Sequence, residues 1–156
     1  MPFLSLGLSP ALAHAATTQG FSEPTPVQTL AIPPVLAGAD LLACAQTGSG
    51  KTAAYVLPLL QRLVAAPPAA RQTYARAVHA LVLVPTRELA AQVGELLRAL
   101  ALTLPQPPKV VVLFGGVSIN PQLMALRGAA DIVVATPGRP LDVVKNNAAR
   151  RARVRG

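Results

Sequence analysis

Four short, mostly apolar runs recur along this chain, each halted by glycine, proline or threonine. Ala39–Ala45 (ADLLACA) runs into a glycine-rich turn, and Ala80–Val84 (ALVLV) stops at Pro85. Val110–Phe114 (VVVLF) stops at Gly115–Gly116, and Ile132–Ala135 (IVVA) stops at Thr136–Pro137–Gly138. Apolar runs of this length without alternation read as strands buried on both faces. Between them, Lys51–Val64, Arg87–Leu102 and Ile119–Gly128 have the length and patterning of helices. Strand and helix in alternation make βαβ units, and these build a parallel sheet. The expectation is an α/β fold with about four strands.

Punctuation elsewhere fits one domain in 156 residues, with no internal repeat. Ser9–Pro10 has the form of an N-cap followed by proline at the first helical position, and Gly20 is a suitable stop. Pro24, Pro26, Pro33 and Pro34 are expected to break the approach to the first strand into short helical pieces. Ala65–Ala75 (AAPPAARQTYA) reads as a mobile loop.

Several classes fall away on composition. Hydrophobic residues make up 52% of the chain and charged residues 13%, which excludes a disordered acidic or basic tail. Mean hydropathy is positive, +0.46, yet no stretch of about 18 apolar residues runs unbroken, so no membrane span is expected. The small residues around Ala11–Ala16 look like a signal-peptide cleavage region without its basic start, since the first Lys or Arg is Lys51. A single cysteine, Cys44, cannot form an internal disulfide, which points to the cytoplasm. Its place in the first apolar run suggests a small buried hydrophobe.

Chemistry concentrates at Ala45–Thr52 (AQTGSGKT), directly after the first run and opening the first long helix. In that context the segment has the pattern of a phosphate-binding loop. Gly48 and Gly50 let the backbone curl around phosphate oxygens with N–H groups pointing inward. The helix N-terminus adds its positive dipole end. Lys51 would reach the β and γ phosphates, and the Thr52 hydroxyl would ligate Mg²⁺. Ala45 stands where the generic pattern has glycine; Gln46, Thr47 and Ser49 complete the cradle. The loop alone implies a nucleoside triphosphate with Mg²⁺.

Three further stretches accompany it: Gly20–Gln28 (GFSEPTPVQ), Pro85–Ala90 (PTRELA) and Thr136–Arg139 (TPGR), the last two at the ends of apolar runs. Together with Gly115–Gly116 they resemble, in order and over nearly the whole chain from Phe3 to about Val144, the N-terminal RecA-like domain of DEAD-box RNA helicases, bacterial stand-alone members most of all. GFSEPTPVQ is similar to the Q motif, AQTGSGKT to motif I, PTRELA to motif Ia and TPGR to motif Ib. The resemblance implies that Gln28 reads the adenine edge, that Phe21 lies against the base and that Thr25 supports the loop. It also implies that Pro85, Thr86, Arg87, Gly115, Gly116, Thr136, Pro137, Gly138 and Arg139 line an RNA groove. The residues support the same view independently. All sit just past the C-terminal ends of strands, where open α/β sheets bind ligands, and Gly, Thr and Arg are the groups that hold phosphates. With five aromatics and no Trp, a base-stacking platform is not expected, so contact would be to the backbone without sequence reading. Plainer roles exist: Arg87 and Glu88 as a helix-start pair, Arg139–Pro140 as a turn, and Phe3 as packing.

The six acids, Glu23, Asp40, Glu88, Glu95, Asp131 and Asp142, include no adjacent pair. The Asp-Glu-Ala-Asp run of motif II is therefore missing, as are the Ser-Ala-Thr motif and the second RecA-like domain that the resemblance implies for a full-length protein. The expected division is a Q-motif region over 1–38 and a partial RecA-like domain over 39–156, from a chain cut short before motif II. Leu141–Asn147 begins the helix after TPGR, and Arg150–Gly156 resembles the connection beyond it. Such a chain is expected to be poorly soluble or molten and unable to turn over ATP. The alternatives are a non-catalytic ATP- or RNA-binding module from a truncated gene, or another phosphate-loop enzyme, which PTRELA and TPGR disfavour. Four arginines in the last seven positions contribute half of the net charge of +8, so the basic residues expected to matter are Lys51, Arg87 and Arg139.

Overall fold

The computed structural model describes residues 2–65, 78–126 and 130–144. Two compact units are present: Met1–Tyr74 with Leu96–Pro108, and Ala75–Glu95 with Lys109–Gly156.

The first unit is helical among its described residues. A 3-10 turn over Pro2–Leu6 buries Phe3 completely, so this aromatic serves packing. Helix α1 (Pro10–Thr18) starts as expected, with the Ser9 hydroxyl accepting from the Leu12 N–H at 3.4 Å and proline at the first position. It also stops as expected. Gly20 adopts φ +86, its N–H reaches the Thr17 carbonyl, and the Phe21 N–H reaches that of Ala16. This is a Schellman cap, which needs a residue tolerant of the left-handed region. Helix α2 (Pro26–Leu36) differs from the expected broken segment: Pro33 and Pro34 lie inside one continuous helix. They fall near its C-terminus, where few bonds remain to be lost, and the carbonyls of both still accept, from the Ala37 and Ala39 N–H groups. Helix α3 (Lys51–Ala65) buries Val56, Leu57 and Leu60 completely and packs against α2.

The second unit carries a three-stranded parallel sheet, β1 (Ala80–Leu83), β2 (Val110–Leu113) and β3 (Ile132–Ala135), in the order β1-β3-β2. The central strand β3 is buried throughout, as its uninterrupted apolar run implies. Asp131 sets its register. Its carboxylate accepts from the Lys109 N–H at 2.7 Å, and its own N–H donates to the Lys109 carbonyl at 3.0 Å. Val111, Leu113, Leu123, Val133 and Val143 close the core beneath the sheet. Helix α4 (Arg87–Ala101) follows β1, and a short helix α5 (Asn120–Ala125) follows β2, ending before the expected Gly128, which lies outside the described residues. Residues 139–144 are helical after β3.

Three features differ from expectation. Ala39–Ala45 forms no strand, so three strands rather than four are seen among the described residues. A strand is a property of a pair. No neighbouring strand takes up the backbone groups of this run, and Leu42 is 93% exposed. Cys44 is accordingly exposed rather than buried. Strand β1 is likewise not buried on both faces, with Leu81 and Leu83 54% and 56% exposed. The Pro/Ala loop through residue 75 and the basic segment 150–156 fall outside the described residues, apart from Ala65 at the end of α3. No helix among the described residues is long and apolar enough to cross a membrane.

Candidate nucleotide and nucleic-acid sites

In the first unit, the loop before α3 has the backbone that a phosphate cradle needs. Gly48 and Gly50 adopt φ +80 and +88, in the region that favours glycine. The Gly50 carbonyl does two jobs. It accepts the first helical bond, from the Ala54 N–H at 3.1 Å, and the side chain of Gln28, whose Nε2 donates at 3.1 Å. The same Gln28 amide accepts from the Thr25 N–H through Oε1 at 3.0 Å. Gln28 is 0% exposed, so a polar side chain has been buried to tie the Pro24–Pro26 turn to the phosphate loop. That is tolerable because both ends of the amide are bonded. A Cβ on Gly50 would lie 2.5 Å from Gln28 Nε2 and 3.2 Å from Thr25 Oγ1. The contact between the two motifs therefore needs glycine.

The Lys51 ammonium folds back onto the loop, donating to the carbonyls of Ala45 and Gln46, the latter at 2.7 Å. Thr52 sits in the first turn of α3 and bonds to the side chain of Tyr55 one turn later. Burial pushes the Tyr55 phenol up, and the Thr52 bond partly offsets this. Two polar atoms at this site are buried without a hydrogen-bond partner in the protein: Ser49 Oγ in the loop and Thr25 Oγ1 beside it. Orphaned hydroxyls next to a lysine and a helix N-terminus fit a ligand rich in acceptors. Phe21 is partly exposed, with Gln46 and Thr47 open to solvent. Among the described residues no cluster of His, Cys, Asp or Glu could hold a metal ion.

In the second unit, the C-terminal ends of β1, β2 and β3 open into a groove of about 550 Å³ lined by Pro85, Thr86, Arg87, Glu88, Gly115, Gly116 and Thr136. The Thr86 hydroxyl caps α4 by accepting from the Leu89 N–H at 3.2 Å. This fixes Arg87 at the first helical position, beside the groove. Arg87 lies against Gly116, which adopts φ +80; a Cβ there would stand 3.2 Å from the guanidinium. Six of the expected RNA-contacting residues thus converge in one place. Glu88 joins them, as the acid that suits the first turn of a helix.

Pro137, Gly138 and Arg139 do not line the groove. Arg139 is only 8% exposed, and its Nε donates to the Phe114 carbonyl at 2.8 Å and its Nη2 to the Val117 carbonyl at 2.6 Å. Its charge lies beneath the loop that carries Gly115 and Gly116. Gln122, which sequence reasoning did not single out, grips the same loop. Its Nε2 donates to the Phe114 carbonyl at 3.0 Å while its Oε1 accepts from the Phe114 N–H at 3.1 Å. The available signal was a glutamine at the start of a short helix whose next residue, Leu123, is core.

A family model described as DEAD/DEAH box helicase matches residues 25–155. The chain is 46% identical over 153 residues to the DEAD-box ATP-dependent RNA helicase 52A of Oryza sativa subsp. japonica, covering 93% of this chain and 25% of that protein. It is 45% identical over 146 residues to the probable ATP-dependent RNA helicase DDX27 of Homo sapiens, covering 94% of this chain and 18% of that one. Among solved structures it resembles the yeast DEAD-box splicing factor Prp28, with a TM-score of 0.77 and 32% identity over 92% of this chain and 34% of that chain. A hypothetical ATP-dependent RNA helicase from Sulfolobus tokodaii gives a TM-score of 0.73 and 36% identity, covering 90% and 37%. Both neighbours share the RecA-like fold.

Proposed function

Because this chain belongs to the DEAD/DEAH box helicase family, we propose that it is the part of an ATP-dependent RNA helicase that binds ATP and grips the RNA backbone. The observation that carries the nucleotide half is the loop before α3. Gly48 and Gly50 sit at positive φ, Ser49 Oγ is orphaned, and Lys51 turns inward on loop carbonyls. Arriving phosphates would take over the Lys51 ammonium and the inward N–H groups, exchanging neutral carbonyl partners for charged oxygens. Gln28 has two of its four amide positions in use. In this reading nucleotide binding uncovers the buried amide, and the other two positions then meet the adenine edge, with Phe21 against the base and Thr25 holding the turn. Ala45, Gln46 and Thr47 would wall the cradle. The Thr52 hydroxyl would take one position on Mg²⁺, with phosphate oxygens and water completing its shell; the ion would screen phosphate charge.

The RNA half rests on the groove of the second unit. Thr86, Arg87, Gly115, Gly116 and Thr136 provide a guanidinium, hydroxyls and glycine backbone, which suit phosphate and ribose and carry no base code. Pro85 shapes the rim, while Arg139 holds the carbonyls of Phe114 and Val117 on either side of the two glycines. Binding without sequence preference follows from such contacts.

Hydrolysis and strand separation are a separate matter. With no adjacent acid pair in 156 residues, nothing in this chain would orient and activate the attacking water, so we assign those steps to a motif II and a second RecA-like domain elsewhere in the working helicase. Alone, the chain would bind and not turn over, as a non-catalytic module would. A phosphate-release assay with RNA tests this: no stimulated turnover is expected, and turnover at ordinary helicase rates would overturn it.

A further inference from the structure

We infer that Gln122 is a positioning residue for RNA binding: its side-chain amide holds the Gly115–Gly116 turn in the shape that forms the groove. The inference rests on the reading that this groove takes the RNA backbone.

The backbone ladder explains why a side chain is needed here. Strands β2 and β3 pair through Leu113 and Ala135, and the last bond runs from the Thr136 N–H to the Leu113 carbonyl at 3.0 Å. The ladder alternates, so the N–H and carbonyl of Phe114 point away from β3, to the outer edge of β2, where no strand among the described residues pairs with them. Gln122 bonds to both, at 3.1 and 3.0 Å. Its amide offers that open edge one donor and one acceptor, as a neighbouring strand would. Because Gln122 is buried and both bonds run to a single residue, the turn that follows has a fixed starting direction. Arg139 adds a second donor to the same carbonyl and one to Val117, on the far side of the two glycines. The glycines, which have the widest backbone freedom in the chain, are thus pinned at both ends. Arg87 can then lie against Gly116. Remove the amide, and Arg139 alone holds the turn through the two carbonyls, leaving the Phe114 N–H and the direction of the turn to be ordered when RNA arrives, which weakens binding.

The test uses the 156-residue chain, wild type and the variants Gln122→Met and Gln122→Glu. Methionine keeps the volume and loses both bonds; glutamate keeps the acceptor for the Phe114 N–H and loses the donor. A fluorescein-labelled oligouridine reports RNA affinity, a fluorescent ATP analogue reports the loop of the first unit, and amide resonances report Gly115 and Gly116. All are read well below the unfolding midpoint. RNA affinity should fall about tenfold in Gln122→Met and by less in Gln122→Glu, with nucleotide affinity retained and the two glycine resonances shifted or broadened. The loss in Gln122→Glu should persist when salt is raised, since a charge effect would fade. A folded Gln122→Met that binds RNA like wild type overturns the inference, as does equal loss of RNA and nucleotide binding. If Gln122→Met does not fold, wild-type RNA affinity in Gln122→Glu overturns it. If wild type itself binds no RNA, the functional reading falls, and unmoved Gly115 and Gly116 resonances in Gln122→Met would sink the inference separately.

Discussion

The side-chain amide of Gln28 reaches across 22 positions of sequence to donate to the Gly50 carbonyl at 3.1 Å. That bond joins the turn before α2 to the phosphate loop, and it exists because position 50 has no Cβ. Gly50→Ala should therefore break two things. A left-handed residue other than glycine costs about 1–2 kcal/mol, and the Cβ would stand 2.5 Å from the Gln28 amide. Urea denaturation should show a stability loss of at least that size, together with lost binding of an ATP analogue. A stable Gly50→Ala chain that binds nucleotide normally would show that the two motifs are not coupled through this contact.

Arg87 lies beside the groove and against Gly116. If it meets one RNA phosphate, Arg87→Gln should weaken binding to all RNA sequences alike. It should also lower the salt slope of log affinity by about 0.7 for a single strand. Affinity measured across a salt series checks both. An unchanged slope would remove Arg87 from the phosphate contacts.

Leu57 on α3 is completely buried. Truncating it to alanine should cost about 2–5 kcal/mol, transfer and cavity together. That is a large share of the roughly 5–15 kcal/mol that holds a domain folded. Urea unfolding of Leu57→Ala checks this; a loss below about 1 kcal/mol would show that α3 is not packed as described.

Tyr55 gives a pH dependence with a definite sign. Burial raises its phenol above the ordinary value of 10.0, so the folded state holds the proton more tightly than the unfolded chain. The contribution is present in full below pH 10.0 and is lost as pH rises through the raised value. Tyr55→Phe should therefore show a flatter decline in melting temperature on the alkaline side. Identical alkaline profiles for the two proteins would contradict the burial.

Much of this was legible in the sequence because it is local. Gly20 ends α1 through its own backbone, and Ser9 begins it; AQTGSGKT needs only the glycines and the helix after it. The strand expected at Ala39–Ala45 is different, since its pairing depends on a neighbour that its own residues cannot specify, and with it went the burial of Cys44. Arg139 and Gln122 mark the same limit. Their sequence neighbours say nothing of a shared partner at Phe114, which lies 25 and 8 positions away. The sequence placed Arg139 among RNA contacts by motif, whereas its donors serve two carbonyls beneath the groove.

In this reading one chain holds an ATP site in its first unit and an RNA-backbone site in its second. Lys51→Ala and Arg87→Gln, each titrated with a fluorescent ATP analogue and with a labelled oligouridine, test it most directly. Lys51→Ala should lose about tenfold or more in nucleotide affinity, the loss of one charge-assisted contact of roughly 1.5–3 kcal/mol, and keep its RNA affinity. Arg87→Gln should do the reverse. Wild-type protein that binds neither ligand, or variants that lose both together, would rule out two separate sites.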